Sequence, residues 1–537
     1  MIGKYYNTLK YLKLEQTAGR FLSILRKKLF KTNLPEIPGE LSARINPKAE
    51  FLFHDPWNTA EKIKAGIFKF LNNEQDCGFP PDWKSKEIPL LWEFNLHYFN
   101  YGYLLDTDDF ESICLDWIKN NPVGIGTGWH AYPLSLRIVN WIKLNPANEN
   151  IIKSIYRQAS YLYRNLEFYF PGNHYLENAK ALFFAAVYFN GIGESQKWMD
   201  KSISIFNKEL PVQVLNDGGY FERSTMYHSI MLHGFLDMFN ICDEKRDISG
   251  QLKEIIEKMI QFQVSATHPD GSIALFNDST VEIAPQTGAL LEYASGLGIT
   301  VPENKNLFPS TGYYIFRDSE IYLMVDGGPI GPDYLPAHAH ADIFSYELSA
   351  FGEKIITDSG VFEYKSGDNR KYCRSTSAHN TVAIDGVDQA ECWDSFRVAR
   401  RFNPINVKCE STANHFNFSG EFDGYSKLIG NSIKHIRRIE FSDKILSVTD
   451  TISGKGKHTV SDFIHFSPNC EIIKSDDLNY KLVVNGKELR IQFESIVPKI
   501  IETEYFPEFG KRIKRKCLLI TKLADLPLKI NYKIFIK

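Results

Sequence analysis

The side chains best suited to chemistry lie in residues 336–389, which read PAHAHADIFSYELSAFGEKIITDSGVFEYKSGDNRKYCRSTSAHNTVAIDGVDQ. His338 and His340 are one residue apart, Asp342 and Asp358 follow, and His379 is followed at once by Asn380. Imidazoles and a carboxylate drawn from separate elements make a zinc site, and a neutral imidazole left outside such a set can take a proton. The apolar, β-branched runs at 354–357 and 381–384 read as strands. On a strand, alternate residues share a face, so His338, His340 and Asp342 are expected to point into one cavity.

Two stretches further upstream carry polar groups in apolar surroundings. The first, GNHYLENA at 172–179, places His174, Glu177 and Asn178 on one face of a helix, with Asn173 suited to cap it. Such a cluster is either the helix's capping apparatus or the edge of a site. The second, DGGYFERSTMYH at 217–228, has a glycine pair for a tight turn, then Ser224 or Thr225 as a helix cap. Tyr227 then falls in the first helical turn, where the positive helix end favours a phenolate.

The elements that must position these residues change character along the chain. With 537 residues, two or three domains are expected. Residues 1–57 form a basic, amphipathic lead and a proline-bearing connector. That lead suits a helix packed on the protein or one touching a membrane surface. Residues 58–305 follow a helical period with short turns, an all-α domain of helical hairpins. Past Pro302 the period becomes alternating. Hairpins are expected around 318–320, 442–444 and Asn485-Gly486, so residues 306–537 form an antiparallel β-sandwich.

Composition bounds the function. Net charge of −3 supplies no global field for nucleic acid, so any polyanion surface must be local. The eight cysteines contain no CxxC pair and suit free thiols rather than a disulfide framework or a zinc finger. No secretory signal is apparent at the N-terminus, so a cytoplasmic location is expected, with the periplasm or cell envelope as the alternative. No apolar run is long enough for a transmembrane segment, and oligomeric state is left open.

The order HAHAD, GEKIITDSG, then Arg374-Ser375-Thr376 leading into AHNTV resembles the C-terminal domain of heparinase II/III polysaccharide lyases. WEFNLHYFNYGYLL at 92–105, GWHAYPLSLRIVNW at 128–141 and the two upstream stretches extend the resemblance over about residues 85–390. It implies an incomplete α/α toroid against a layered antiparallel β domain. It also implies β-elimination on a uronate-containing polysaccharide, leaving a 4,5-unsaturated uronate end. Carried onto this sequence, Asn173 and His174 would neutralise the substrate carboxylate, Tyr227 and His338 would transfer protons, and His340, Asp358 and His379 would hold zinc. Glu177 falls where family members can have an active-site acid, and Arg374 is added here as a candidate for holding substrate anions bidentately. Two other functions stay open: a glycoside hydrolase on an α/α scaffold, which needs two flanking carboxylates, and a non-catalytic carbohydrate-binding protein of surface polysaccharide assembly.

Overall fold

The computed structural model describes residues 2–29, 32–41, 43–84, 88–243 and 247–536. Two helices, Ile2–Leu9 and Leu14–Leu29, lead the chain, and helices then succeed one another to Thr287–Gly296. The helices differ by position. Glu149–Arg164 buries Ile151, Ile155, Tyr156, Ala159 and Leu162 along one stripe, as an outer helix does. Asn173–Tyr188 and Thr225–Ile241 are buried almost all round, because other helices and the β domain enclose them. Ala131–Lys143 packs on Asn173–Tyr188, which packs in turn on Ser195–Gln213, and the hairpins curve into an incomplete α/α toroid.

From Leu307 onward the regular structure is almost all strand, with long loops and two short helices, Asp368–Cys373 and Gly424–Leu428, between the strands. A five-stranded antiparallel sheet has the spatial order Leu307–Phe308, Tyr313–Arg317, Ile321–Asp326, Tyr346–Ala350, Glu353–Ile356. An eight-stranded sheet runs Ile405–Ser411, Phe416–Phe422, Lys434–Ser442, Ile445–Ser453, Leu528–Ile536, Lys487–Phe493, Asn479–Val484, Glu471–Lys474. A four-stranded sheet completes the domain through Lys499–Tyr505, Ile513–Asp525, Lys457–His465 and Val382–Ile384.

The five-stranded sheet is a middle layer. Tyr313, Ile315, Tyr322 and Met324 pack on Phe262, Ala266, Ala274 and Phe276 of the helical domain. Phe316, Leu323 and Val325, on the other face, join the core of the eight-stranded sheet. Its strands Ile321–Asp326 and Tyr346–Ala350 are therefore buried on both faces, while Ile445–Ser453, with one inner face, alternates strictly. The expected hairpins form where the turn residues take positive φ: Asp443 and Lys444 at 50° and 60°, Asn485 and Gly486 at 45° and 75°.

Two local expectations are corrected. The HAHAD segment is a loop between Ile321–Asp326 and Tyr346–Ala350 rather than a strand, so alternation does not orient its side chains. The helical region also contains a β-hairpin, Ile67–Phe70 with Asn73–Asp76. Phe68 and Phe70 alternate into the core, and Leu71 and Asn72 turn at φ 55° and 57°. The hairpin tip meets the β domain, where the Asn72 amide donates to Glu508 Oε2 at 2.9 Å and to the Phe509 carbonyl at 3.0 Å.

Polar locks reinforce the docking of the two domains. Asp217 accepts from the Ser310 and Thr311 N–H groups and the Thr311 hydroxyl at 2.6–3.0 Å. Gly219 lies so close to Thr311 that a Cβ there would stand 1.9 Å from its hydroxyl oxygen, which accounts for the glycine.

Candidate functional site

A cleft of ≈ 1060 Å³ opens between the domains, and Asn173, His174, Glu222, Met226, Tyr227, His338 and Tyr364 are among the side chains that line it. Aromatic rings, including Phe94, Tyr98, Tyr132, Phe170, Phe396 and Phe509, make up much of the wall. Such rings offer flat faces to sugars.

The helical domain supplies one side. Asn173 opens the helix Asn173–Tyr188 with Gly172, not Asn173, at the cap position. Its Oδ1 accepts the His174 N–H at 2.8 Å, and its amide NH₂ has no partner among the described residues. His174 stands between the rings of Tyr132 and Phe170, at 4.3 and 5.2 Å, with Nδ1 3.2 Å from Glu167 Oε2. Ser224 caps the helix Thr225–Ile241 by accepting the Tyr227 N–H at 3.1 Å. This sets Tyr227 in the first turn as expected. The Tyr227 hydroxyl, 3.1 Å from that of Tyr364, faces the cleft. Burial, together with Tyr364 and the negative charges nearby, pushes its phenol well above the ordinary tyrosine value. The helix end therefore does not produce a standing phenolate.

The β domain supplies the other side. The imidazole of His338 lies against the Tyr227 ring with centroids 4.0 Å apart. Its Nδ1 is 2.9 Å from Asp278 Oδ2, and its Nε2 has no partner among the described residues. Burial lowers the imidazole's affinity for a proton, with Asp278 opposing. Asp278 is the hub of the site. It also accepts from His340 Nε2 at 2.8 Å and from both terminal nitrogens of Arg370, one of them at 2.8 Å. Burial opposes its ionisation, but Arg370 and the two imidazoles hold it well below the usual carboxylate range. Glu222, which lines the cleft from the helical domain, is driven the other way: burial and then the charge of Asp278 push it up to about 8, so it keeps its proton at neutral pH.

Beneath this layer, His340, Asp342 and His379 converge, each offering a ligand atom within 4.8 Å of the others. Three buried atoms there lack a partner: His340 Nδ1, His379 Nε2 and one Asp342 oxygen. Orphaned acceptors of these types fit a divalent cation such as zinc. Asp358, expected as the carboxylate of that set, instead receives His379 Nδ1 at 2.7 Å from the far side of the ring. It is placed to orient His379 as a carboxylate behind a metal-binding imidazole does.

Two other expected residues lie away from the cleft. Arg374 is buried and donates to the carbonyls of Ala339 and Ser395 at 3.0 and 3.2 Å, so it fixes the HAHAD loop from behind and does not line the cleft. Glu177 lies one turn past His174, but its carboxylate is 2.7 Å from Lys180 Nζ and lines an adjoining chamber of ≈ 150 Å³ that shares Asn95, Tyr98 and Tyr132 with the cleft. Asp278 and Tyr364 were not anticipated.

Two family models match the chain: "Heparinase II/III N-terminus" over residues 145–306 and "Heparinase II/III-like, C-terminal" over 300–530. A heparin-sulfate lyase of Bacteroides stercoris is 27% identical over 342 residues, covering 58% of this chain and 48% of that protein. A heparin-sulfate lyase of Pedobacter heparinus is 27% identical over 317 residues, covering 50% of this chain and 47% of that protein. The matched region thus spans about half the length of these curated relatives. Among solved structures, a heparinase III superposes with a TM-score of 0.69 at 19% identity, covering 98% of this chain and 91% of that one.

Proposed function

Because the chain belongs to the heparinase II/III family, we propose that it is a polysaccharide lyase that cleaves a uronate-containing polymer by β-elimination. The observation that carries this reading is the contact of Tyr227 and His338. One comes from each domain, their rings are 4.0 Å apart, and they share a cleft with Asn173 and His174.

The difficult step is loss of the proton at C5, beside a carboxylate that is anionic at neutral pH. The free amide of Asn173 and the imidazole of His174 would bind that carboxylate, so that charge spreads onto it in the transition state. Each preorganised donor of this kind contributes about 3 kcal/mol. Protonated Glu222 adds a neutral wall where an ionised carboxylate would repel the substrate. His338, neutral and held by Asp278, takes the C5 proton through Nε2. The Tyr227 hydroxyl, kept protonated by burial, gives its proton to the leaving oxygen at C4. The C5–H and C4–O bonds break and the C4=C5 bond forms. Return of the proton from His338 to the Tyr227 phenolate, directly or through solvent after product leaves, restores both groups.

Zinc belongs to the same proposal. His340, His379 and Asp342 would hold it, with Asp358 orienting His379. When bound, it would supply a fixed positive charge that orders the loops carrying His338 and Asn380. Among the described residues lining the cleft, Lys365 is the one lysine or arginine. This supports a polymer charged mainly through its uronate carboxylates rather than through dense sulfation.

The test is incubation with a panel of uronate polymers while recording ultraviolet absorbance of the C4=C5 bond. Wild-type protein should generate it and Tyr227→Phe should not. Reducing ends released without that absorbance would establish hydrolysis instead.

A further inference from the structure

The helix Leu14–Leu29 is built the wrong way round for a helix that only packs. Leu14, Phe21 and Leu22 are 84%, 64% and 59% exposed, and Ala18 is exposed with them. At positions i, i+4, i+7 and i+8 they form one continuous apolar stripe. The opposite side faces the protein with small and polar residues: Gln16 donates to the Tyr334 carbonyl at 3.0 Å, and Gly19 abuts Phe168. The preceding helix, Ile2–Leu9, follows suit. Tyr5 and Thr8 engage Trp393, while Tyr6 and Leu9 are exposed. Scattered single apolar residues on a surface need no explanation, but a stripe of them at helical spacing does.

Charge identifies what covers it. Lys4, Lys10, Lys13, Arg20, Arg26, Lys27, Lys28 and Lys31 fall in the first 32 residues against Glu15 alone, whereas the whole chain is −3. Glu15 itself lies 3.4 Å from Lys208. An apolar stripe flanked by basic residues suits a surface that is both greasy and negative. A second copy of this chain would bring the same positive charge to the contact.

We infer that the N-terminal helix pair is an in-plane docking face for an anionic lipid bilayer. Leu14, Phe21 and Leu22 enter the acyl boundary, and Lys4, Lys10, Lys13 and Arg20 meet lipid phosphates. The face lies beside the cleft mouth, since Gly19 touches Phe168 and Phe170 lines the cleft two residues on. Docking would therefore present the cleft to polymer held at the same membrane. None of this depends on which reaction the cleft performs.

Vesicle flotation of the full chain tests the inference. Wild-type protein should float with phosphatidylglycerol-containing vesicles at low salt, weakly at high salt, and not with pure phosphatidylcholine. Leu14→Ser, Phe21→Ser and Leu22→Ser together should cut the bound fraction by about tenfold or more, given the apolar area withdrawn. The same variant should keep the wild-type thermal midpoint, because these side chains face solvent. Failure of the wild type to float with anionic vesicles, or undiminished flotation of the triple variant, overturns the inference. So does sedimentation velocity showing self-association that the triple variant abolishes while vesicles bind neither form.

Discussion

Among the described residues, two buried carboxylates each hold an arginine and a histidine, and they serve opposite ends. Asp450 accepts from His435 Nε2 at 2.5 Å and from Arg437 at 2.8 and 2.9 Å, and Arg437 continues to Asp462 at 3.0 Å. All four lie between strands of the sandwich without exposure. Asp278 has the same kind of partners, yet its His338 lines a cavity and the free nitrogen of its His340 meets the ligand atoms of Asp342 and His379, whereas the likewise unpartnered Nδ1 of His435 belongs to no such group among the described residues. Residue types alone do not separate a structural knot from a reactive site. Open space in front of an unpaired nitrogen does.

The sharpest way to break that comparison is to remove one oxygen from the cleft. Tyr227→Phe should lower turnover by about 10²–10⁴ while leaving the fold and substrate binding intact, as steady-state kinetics and a thermal melt would show. Retention of near-normal turnover would move the proton-transfer role to His338 alone. On the structural side, Asp450→Ala breaks a buried, doubly hydrogen-bonded ion pair, leaving Arg437 with Asp462 alone and His435 without its acceptor. It should destabilise the protein by about 3–5 kcal/mol in urea denaturation, with kcat per folded molecule unchanged. A loss of kcat larger than the loss of folded protein would contradict the division of labour drawn here.

Metal sharpens the contrast next. Purified protein should carry about one zinc per chain, lost together with part of its thermal stability in a His340→Ala, His379→Ala double variant. Substituting His435, which belongs to the closed knot, should leave zinc content untouched. Comparing Asp342→Ala with Asp358→Ala by metal analysis would then tell the direct ligand from the orienting carboxylate, with the larger loss expected at Asp342.

The smallest effect is on pH. Each cluster has a neighbouring carboxyl raised to about 8, Glu222 by burial and then Asp278, Asp462 by burial and then Asp450. A carboxyl with a raised folded value keeps its proton in the native state, so stability declines as pH rises from the ordinary carboxylate range towards 8. Glu222→Gln and Asp462→Asn should each flatten that decline by about 1–2 kcal/mol in urea denaturation. Of the two, Glu222→Gln alone should also extend turnover to higher pH, because an amide cannot ionise beside the substrate carboxylate.

Much of this was legible before any coordinates. Hairpins at Asp443-Lys444 and Asn485-Gly486 follow from local turn chemistry, and the Ser224 cap placed Tyr227 correctly, because cap and residue are three positions apart. Asp278 was not legible. Its partners lie 60 to 92 residues away, and no local pattern reports them. Spacing likewise could not choose between Asp342 and Asp358, since both follow the histidine pair and only the packing of the loop decides which faces the imidazoles. The hairpin at 67–76 was hidden because four-residue strands leave a weak alternation among strong helical signals.

The position of Asp278 also bears on how the protein is made. It lies between the last two helices of the helical half, and its partners His338, His340 and Arg370 belong to the half synthesised later, the last of them 92 residues on. At ribosomal rates of about 5–20 residues per second, that carboxylate emerges roughly 5–20 s before its arginine does. A nascent helical domain therefore carries an unpaired anion that holds water at the floor of the future cleft. His338 is locked only when the second half closes over Asp278, which makes the cleft one of the last parts of the molecule to assemble.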